Sequence, residues 1–368
     1  MAIRLNQVYG ALAPLTEGNF QFGLNYGSGL GVSSGQLVNT GIISAFAGNG
    51  IFVSGTVPFT ITNSTSTDTS APFQQMVVVN PSLYTSYLAS DLSNVQWFDA
   101  NGNVINSWLE SGNSNTATQA VYWLSLANGI GANSSITVYM GIASTTTNLL
   151  NNTTTGEAPQ LSSTYGEYDN GINVFDFYDN FAGTTLSSVW TVPSNSKYTV
   201  NNGFIAAPSA QDVYAIYNNS VRETSLIIAE WGLNMSSTSY PNNDSYFQLN
   251  RYTLNSNMHW LGVSGSDTFI NNNSAITTVA ISSTGTQVFG IWNDGTTVTW
   301  YYEGNSHTDT SATAETDYLA LGWASNGQLH TFPTTYWVRA RIYPSNGVMP
   351  TVSVGSLNTG GVLIMGKT

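Results

Sequence analysis

The sequence predicts an all-β protein: two β-sandwich, jelly-roll-like domains preceded by a Gly-rich N-terminal β arm. Three observations carry that expectation. Helical periodicity is almost absent from the 368 residues; one helical turn is expected at 82–88, where Leu83, Tyr84, Tyr87 and Leu88 recur at three-to-four spacing. Short alternating apolar segments recur instead, separated by Gly, Asn and Ser clusters. Hydrophobic residues make up 41% and aromatics 12%, enough to fill cores, while charged residues are only 7%, against roughly 25% in an ordinary soluble domain.

The arm is expected over residues 1–57. Phe20, Phe22, Leu24 and Tyr26 alternate with Asn19, Gln21, Gly23 and Asn25 as a period-two strand, and 42–46 and 51–57 add two apolar strands. A segment so short and Gly-broken cannot bury its own faces, so it should complete a neighbouring sheet or pair with another subunit. The first sandwich, 58–165, takes strands from 57–61, 73–79, 95–98, 121–126 and 135–140. Asp99-Ala100-Asn101-Gly102 is a turn whose Gly supplies a positive φ. Residues 144–159 read as a polar linker. The second, larger sandwich, 166–368, is marked by a hairpin: 287–292, then Asn293-Asp294-Gly295, then 297–302. A strand over 336–343 sets Trp337, Arg339 and Arg341 against Val338, Ala340 and Ile342, and 352–355 and 361–365 supply terminal strands.

Twenty acidic and seven basic side chains give a net charge of -13 at pH 7. The basic residues are scattered from Arg4 to Lys367, so no cluster tracks a phosphate backbone and nucleic-acid binding is excluded. The absence of cysteine excludes disulfides, thiolate metal sites and cysteine nucleophiles. Solubility falls to amides and hydroxyls, in runs such as Asn271-Asn272-Asn273-Ser274, which stay hydrated at any pH. Few titratable groups leave stability little dependent on pH, which suits an acid-stable protein facing a harsh external medium. No apolar run approaches the roughly 18 residues needed to span a bilayer. The first residues lack a charged segment followed by an apolar one. Delivery to the exterior by an unusual route, or inside an assembled particle, is therefore expected.

N-glycosylation triplets occur at Asn63, Asn133, Asn151, Asn152, Asn218, Asn234, Asn243 and Asn272. At this content of Asn, Ser and Thr, chance alone gives roughly ten such triplets, so their number is no signal in itself.

Two stretches carry a resemblance. Pro58-Phe59-Thr60-Ile61-Thr62-Asn63, Trp97-Phe98-Asp99-Ala100-Asn101-Gly102, Ser107-Trp108-Leu109-Glu110, Val121-Tyr122-Trp123-Leu124 and Ile136-Thr137-Val138-Tyr139-Met140-Gly141 resemble an uncharacterised β-sandwich module of bacterial and archaeal surface proteins. The junction Gly166-Glu167-Tyr168-Asp169 through Tyr178-Asp179-Asn180-Phe181 looks like the one such proteins place before a lectin-like domain. From about 176 onward, Asp179-Asn180-Phe181, Trp190 and the 292–304 hairpin are similar to concanavalin A-like lectin/glucanase sandwiches. The pairing implies archaeal surface or virus proteins and contact with glycans or surfaces. It carries over no catalytic residue, and fold does not fix function.

The residues themselves offer little for catalysis. Glycoside hydrolysis needs two carboxylates flanking the sugar bond. Glu167-Tyr168-Asp169 has the first spacing of the glucanase strand pattern Glu-x-Asp-x-x-Glu but lacks its second Glu. Glu223 and Glu230, seven apart on or beside one strand, fall on opposite faces. Asp169, Asn170, Asp176 and Asp179 form the densest oxygen cluster, and a structural calcium ion is the one cofactor the pattern admits. His259, His307 and His330 are scattered, without zinc spacing. Aromatics remain: Trp260, Trp292, Trp300, Tyr301 and Trp337 are the candidates for stacking on sugar rings.

The expected function is a non-enzymatic structural protein of an exterior assembly: a virion surface or spike subunit, localised to the virion or cell surface. Its expected partners are copies of itself or other virion subunits, and host or surface glycans. A cell-surface adhesin or filament subunit, and a glycan-cleaving enzyme, are the alternatives.

Overall fold

The structure, a computed structural model, describes residues 51–194, 198–206 and 333–359 without a break. It also describes most strands between 212 and 325 with some of their connections, and short strands within 25–44 and at 362–364. Of the period-two strand expected around Phe20–Tyr26, Asn25–Tyr26 pairs with Ile43–Ser44, and the remainder lies outside the described residues.

The chain builds two β-sandwiches, as expected. In the first, sheet I has the order Thr155–Glu157, Ser107–Ser111, Ala120–Leu126, Phe73–Val79. Sheet II has the order Thr351–Val354, Gly55–Asn63, Ser134–Ile142, Val95–Phe98. Period-two alternation explains the packing: Gly55–Asn63 turns Val57, Phe59 and Ile61 inward, onto Val77, Tyr122 and Leu124 of the facing sheet. Trp97 sits between Phe59 and Tyr122, edge-on to both at 5.0 and 5.5 Å. The expected turns form: Pro81–Tyr84 is a short 3-10 helix, and Gly102 takes a φ of 82° where its N–H donates to Asp99 O.

Three boundaries differ from the sequence expectation. Residues 144–159 are not all linker. Asn151 Oδ1 accepts the N–H groups of Thr153 and Thr154, which turns the chain back, and Thr155–Glu157 runs parallel to Ser107–Ser111. The arm does not end at 57, because Gly55–Asn63 is a single strand of sheet II. The second sandwich does not extend to 368. Thr351–Val354 pairs with Gly55–Asn63, Met349, Val352 and Leu357 pack on the first core, and Val362–Ile364 pairs with Ile51–Val53. Short strands with this weak a pattern do not announce which sheet they join, and burial of Val352 and Leu357 decides it.

In the second sandwich, sheet III runs Tyr198–Val200, Phe204–Ala206, Thr334–Ile342, Ile227–Met235, Gly285–Asn293, Val298–Tyr302, Asn305–Asp309. Phe177–Asp179 also pairs with Thr334–Ile342. Sheet IV runs Trp190–Thr191, Ile216–Glu223, Asp317–Leu321, Tyr240–Asn250, His259–Gly265, Asp267–Asn272, Ala275–Ala280. Between them lie Trp231, Leu233, Phe289, Ile291, Trp300 and Val338. The expected hairpin is present, closed by Asp294, whose Oδ1 accepts the N–H groups of Thr296 and Thr297.

The sandwiches share a third core. The outer face of sheet I presents Trp108 and Trp123, the outer face of sheet III presents Trp337, and Val174, Phe175 and Tyr178 of the connecting segment fill the seam. Trp108 meets Trp337 edge-on at 5.2 Å. Gly232 makes room, since a Cβ there would collide with the Trp337 ring.

Candidate functional site

Alternation along Thr334–Ile342 sends Val338 and Ala340 into the core of the second sandwich and Trp337, Arg339 and Arg341 onto the outer face of sheet III. Across the ladder Arg339 faces Glu230. Arg339 Nε donates to Glu230 Oε2 at 2.7 Å, and Arg341 donates through Nε (3.1 Å) and a terminal nitrogen (3.0 Å) to the two oxygens of the same carboxylate. Arg339 reaches out of its own sandwich to Glu110 Oε2 at 2.7 Å, and the Trp123 indole donates to that oxygen at 2.8 Å. Four rings enclose the Arg339 guanidinium: Trp123, Trp337, Phe175 and Trp108, at 4.4, 4.7, 4.8 and 5.5 Å. Although burial pushes Glu230 upward, its two arginines win and hold its carboxyl down at about 2. An acid so held carries no proton to give near neutral pH, and the first sandwich roofs it.

Beyond that roof the same outer face continues to solvent. Trp292 and Tyr301, diagonal neighbours on adjacent strands, stack at 5.3 Å with 6° between their planes. Arg341 lies 4.5 Å from the Trp123 ring and 5.7 Å from the Trp292 ring, so a column of planes leads from the seam outward. Tyr301 is 37% exposed at its end, and Thr299 and Thr308 join hydroxyls beside it at 3.0 Å.

The other expected stacking residues divide. Trp300 and Trp337 are fully buried, one between the sheets and one in the seam, and neither reaches a sugar. Trp260 lies on His259–Gly265, and its side chain is outside the described residues. The calcium cluster is corrected as well. Asp169 accepts from Trp108 Nε1 and Gly171 N on one oxygen and from the Tyr178 hydroxyl and Asn180 Nδ2 on the other, all within 3.0 Å. Asn170 is buried against Ser107 O and Asn173; Asp176 faces Gln74; Asp179 caps Phe181 N and accepts from Trp190 Nε1. Each side chain is turned to its own N–H or O–H donors, and among the described residues no three His, Asp or Glu side chains could share a metal ion. Asp169, Asp176 and Asp179 instead line a cleft of about 430 Å³ rimmed by Ile172 and Val189.

Glu223 ends a strand of sheet IV and Glu230 lies on sheet III, so the two sit in different sheets altogether. Of the glycosylation triplets, Asn63 is buried, its amide donating to the carbonyls of Thr67, Ile130 and Gly131, and Asn218 is fully buried; neither can carry a glycan in the folded chain. Asn151 spends its side chain on the turn described above. Asn234 is half-buried one residue before the end of its strand, Asn133 and Asn152 are exposed, and the side chains of Asn243 and Asn272 are outside the described residues.

Sequence reasoning weighed Glu230 only as a catalytic carboxylate and missed the buried ion network that it forms with Arg339, Arg341 and Glu110. Its one signal was two of the seven basic residues placed two apart on a strand beside a tryptophan.

No known family model matches the chain. This chain is similar to a virus protein. Over 160 residues, 43% of the chain, it is 38% identical to the uncharacterised protein 562 of Sulfolobus islandicus rod-shaped virus 1. The match spans 26% of that relative's length. Among solved structures, an endo-β-1,3-glucanase from Pyrococcus furiosus and a Bacillus licheniformis β-glucanase each align with 45% of the chain at 12% identity and a TM-score of 0.36, covering 93% and 97% of those chains. At that level the likeness bears on neither substrate nor activity, and the fold rests on the chain's own sheets. No helix of the described residues is long and apolar enough to cross a membrane.

Proposed function

We propose that this chain is a non-enzymatic structural protein of a virion surface, touching glycans through the Trp292–Tyr301 ledge. The observation that carries the reading is the state of the outer face of sheet III. Its carboxylate, Glu230, is held between two arginines beneath the first sandwich, while Tyr301, stacked on the half-buried Trp292, stays open to solvent. Hydrolysis needs two carboxylates with different proton affinities facing a groove; stacking needs one accessible ring and nearby hydroxyls, which Tyr301, Thr299 and Thr308 supply. Similarity to a viral protein supports the virion setting. Such contacts are individually weak and gain strength through many copies.

Affinity electrophoresis of the full chain in gels containing soluble β-glucan or archaeal surface polysaccharide tests this. Retardation is expected with at least one polymer, and Tyr301→Ala should weaken it about tenfold. Release of reducing ends from any of these polymers would overturn the reading in favour of an enzyme. Retardation unaltered by Tyr301→Ala would remove the ledge from it.

A further inference from the structure

We infer that the Thr351–Val354 edge of sheet II is a surface through which two copies of this chain associate, strand against strand. The inference deepens the assembly reading above by naming the surface and the partner.

Charge is the first ground. Residues 18–67 and 343–366 contain no Asp, Glu, Lys, Arg or His, so nearly all the charge that sums to -13 lies between them. The fold pairs the strands at 51–63 of the first with those at 351–364 of the second. Thr351–Val354 pairs with Gly55–Asn63, Thr56 and Asn358 exchange two backbone hydrogen bonds of 2.9 and 2.8 Å, and Val362–Ile364 pairs with Ile51–Val53. The two inner strands of sheet II, Gly55–Asn63 and Ser134–Ile142, and its other edge, Val95–Phe98, are equally free of charge. Two copies each carrying a net charge of -13 repel across most approaches, and here they meet without bringing like charges together.

The edge itself is the second ground. Among the described residues Thr351–Val354 pairs on one side only, in unbroken register with Gly55–Asn63. Soluble sheets guard such edges with lysines, bulges or inward charges. The edge of sheet III at Asn305–Asp309 ends on an aspartate, and this one has no such guard. Val354 and Val348 stand 51% and 48% exposed beside it. On the outer face Thr351 lies opposite Thr62 and Ser353 opposite Thr60, and Thr62 in turn shares a 2.8 Å hydroxyl contact with Ser135. Antiparallel pairing about a two-fold axis would extend these hydroxyl rows into the second copy and supply the missing backbone partners.

Sedimentation velocity of the full chain over a concentration series, at low salt and at roughly 1 M salt where screening acts within about 3 Å, reads the outcome. A dimer is expected whose affinity holds or rises with salt, because the contact buries no charge. The double variant Thr351→Lys, Ser353→Lys should weaken it at least tenfold with an unchanged melting temperature, by setting like charges opposite one another. Leu83→Lys, at a 70% exposed position on the 3-10 turn, should leave it unaltered. A monomer at the highest soluble concentration overturns the inference, as does a dimer untouched by the double variant or equally weakened by Leu83→Lys. Polysaccharide retardation is measured on the same samples: a monomer that is still retarded through Tyr301 sinks this inference alone.

Discussion

Arg339 concentrates the chemistry of the seam in one side chain. Its guanidinium satisfies Glu230 and Glu110 in two different sandwiches, inside a cage of four rings. Removing one member of a buried ion network leaves the others charged and unpaired, so Arg339→Met should cost about 3–5 kcal/mol in urea unfolding. Asp169 makes the same argument with neutral donors. Asparagine there would turn an NH₂ towards an indole, a hydroxyl or an amide that itself donates, and Asp169→Asn should lower stability by about 2–3 kcal/mol. Neither role was legible in the sequence. Asp169 drew notice as an oxygen ligand beside Asn170, Asp176 and Asp179, since spacing reveals acidic neighbours but not that Trp108, sixty-one residues earlier, aims its N–H at one of them. Tyr301 was legible as an aromatic on a hairpin; that it is exposed while Trp300 is buried follows from strand parity once the core face is known.

At the scale of elements, the strands with clear alternation were legible and the short ones were not. The Gly285–Asn293 and Val298–Tyr302 hairpin announces itself through Asn-Asp-Gly between apolar runs, and its two arms pair as expected. Thr155–Glu157 and Thr351–Val354 are three and four residues long, and their places depend on partners distant in sequence. The second case has a measurable consequence. Ending the chain after Pro350 removes a strand and the Val352 and Leu357 contacts from the first sandwich, while sheets III and IV lose nothing. Limited proteolysis should then cut first within residues 51–165, and the intact chain should resist at the same protease concentration. The exposed Asn133 and Asn152 lie in connections of that sandwich. If the chain is made in an archaeal host that glycosylates asparagine, mass spectrometry should find added mass on peptides holding these two and none on those holding Asn63 or Asn218.

The whole molecule combines few charges with an unusual placement of them. Burial raises the carboxyls of Glu157, Asp176 and Asp179, so the fold favours their protonated forms. Their contribution to stability is complete below about pH 4 and is lost as pH rises through their raised values. Glu230 has the opposite sign: its contribution is present above its unfolded value and is lost as pH falls towards about 2. Calorimetry should therefore find a melting temperature at pH 4 close to or above that at pH 7, with a progressive fall from about pH 4 down to pH 2 as Glu230 and Asp294 take up protons; a steep loss between pH 7 and pH 4 would contradict these assignments. The antiparallel pairing of Ile51–Val53 with Val362–Ile364 adds a mechanical property. Tension applied through the chain on either side of these strands would enter and leave the molecule at neighbouring points. It would part that short ladder one rung at a time, as a zip opens, and the seam and the second sandwich would lie off the load path until the ladder had opened.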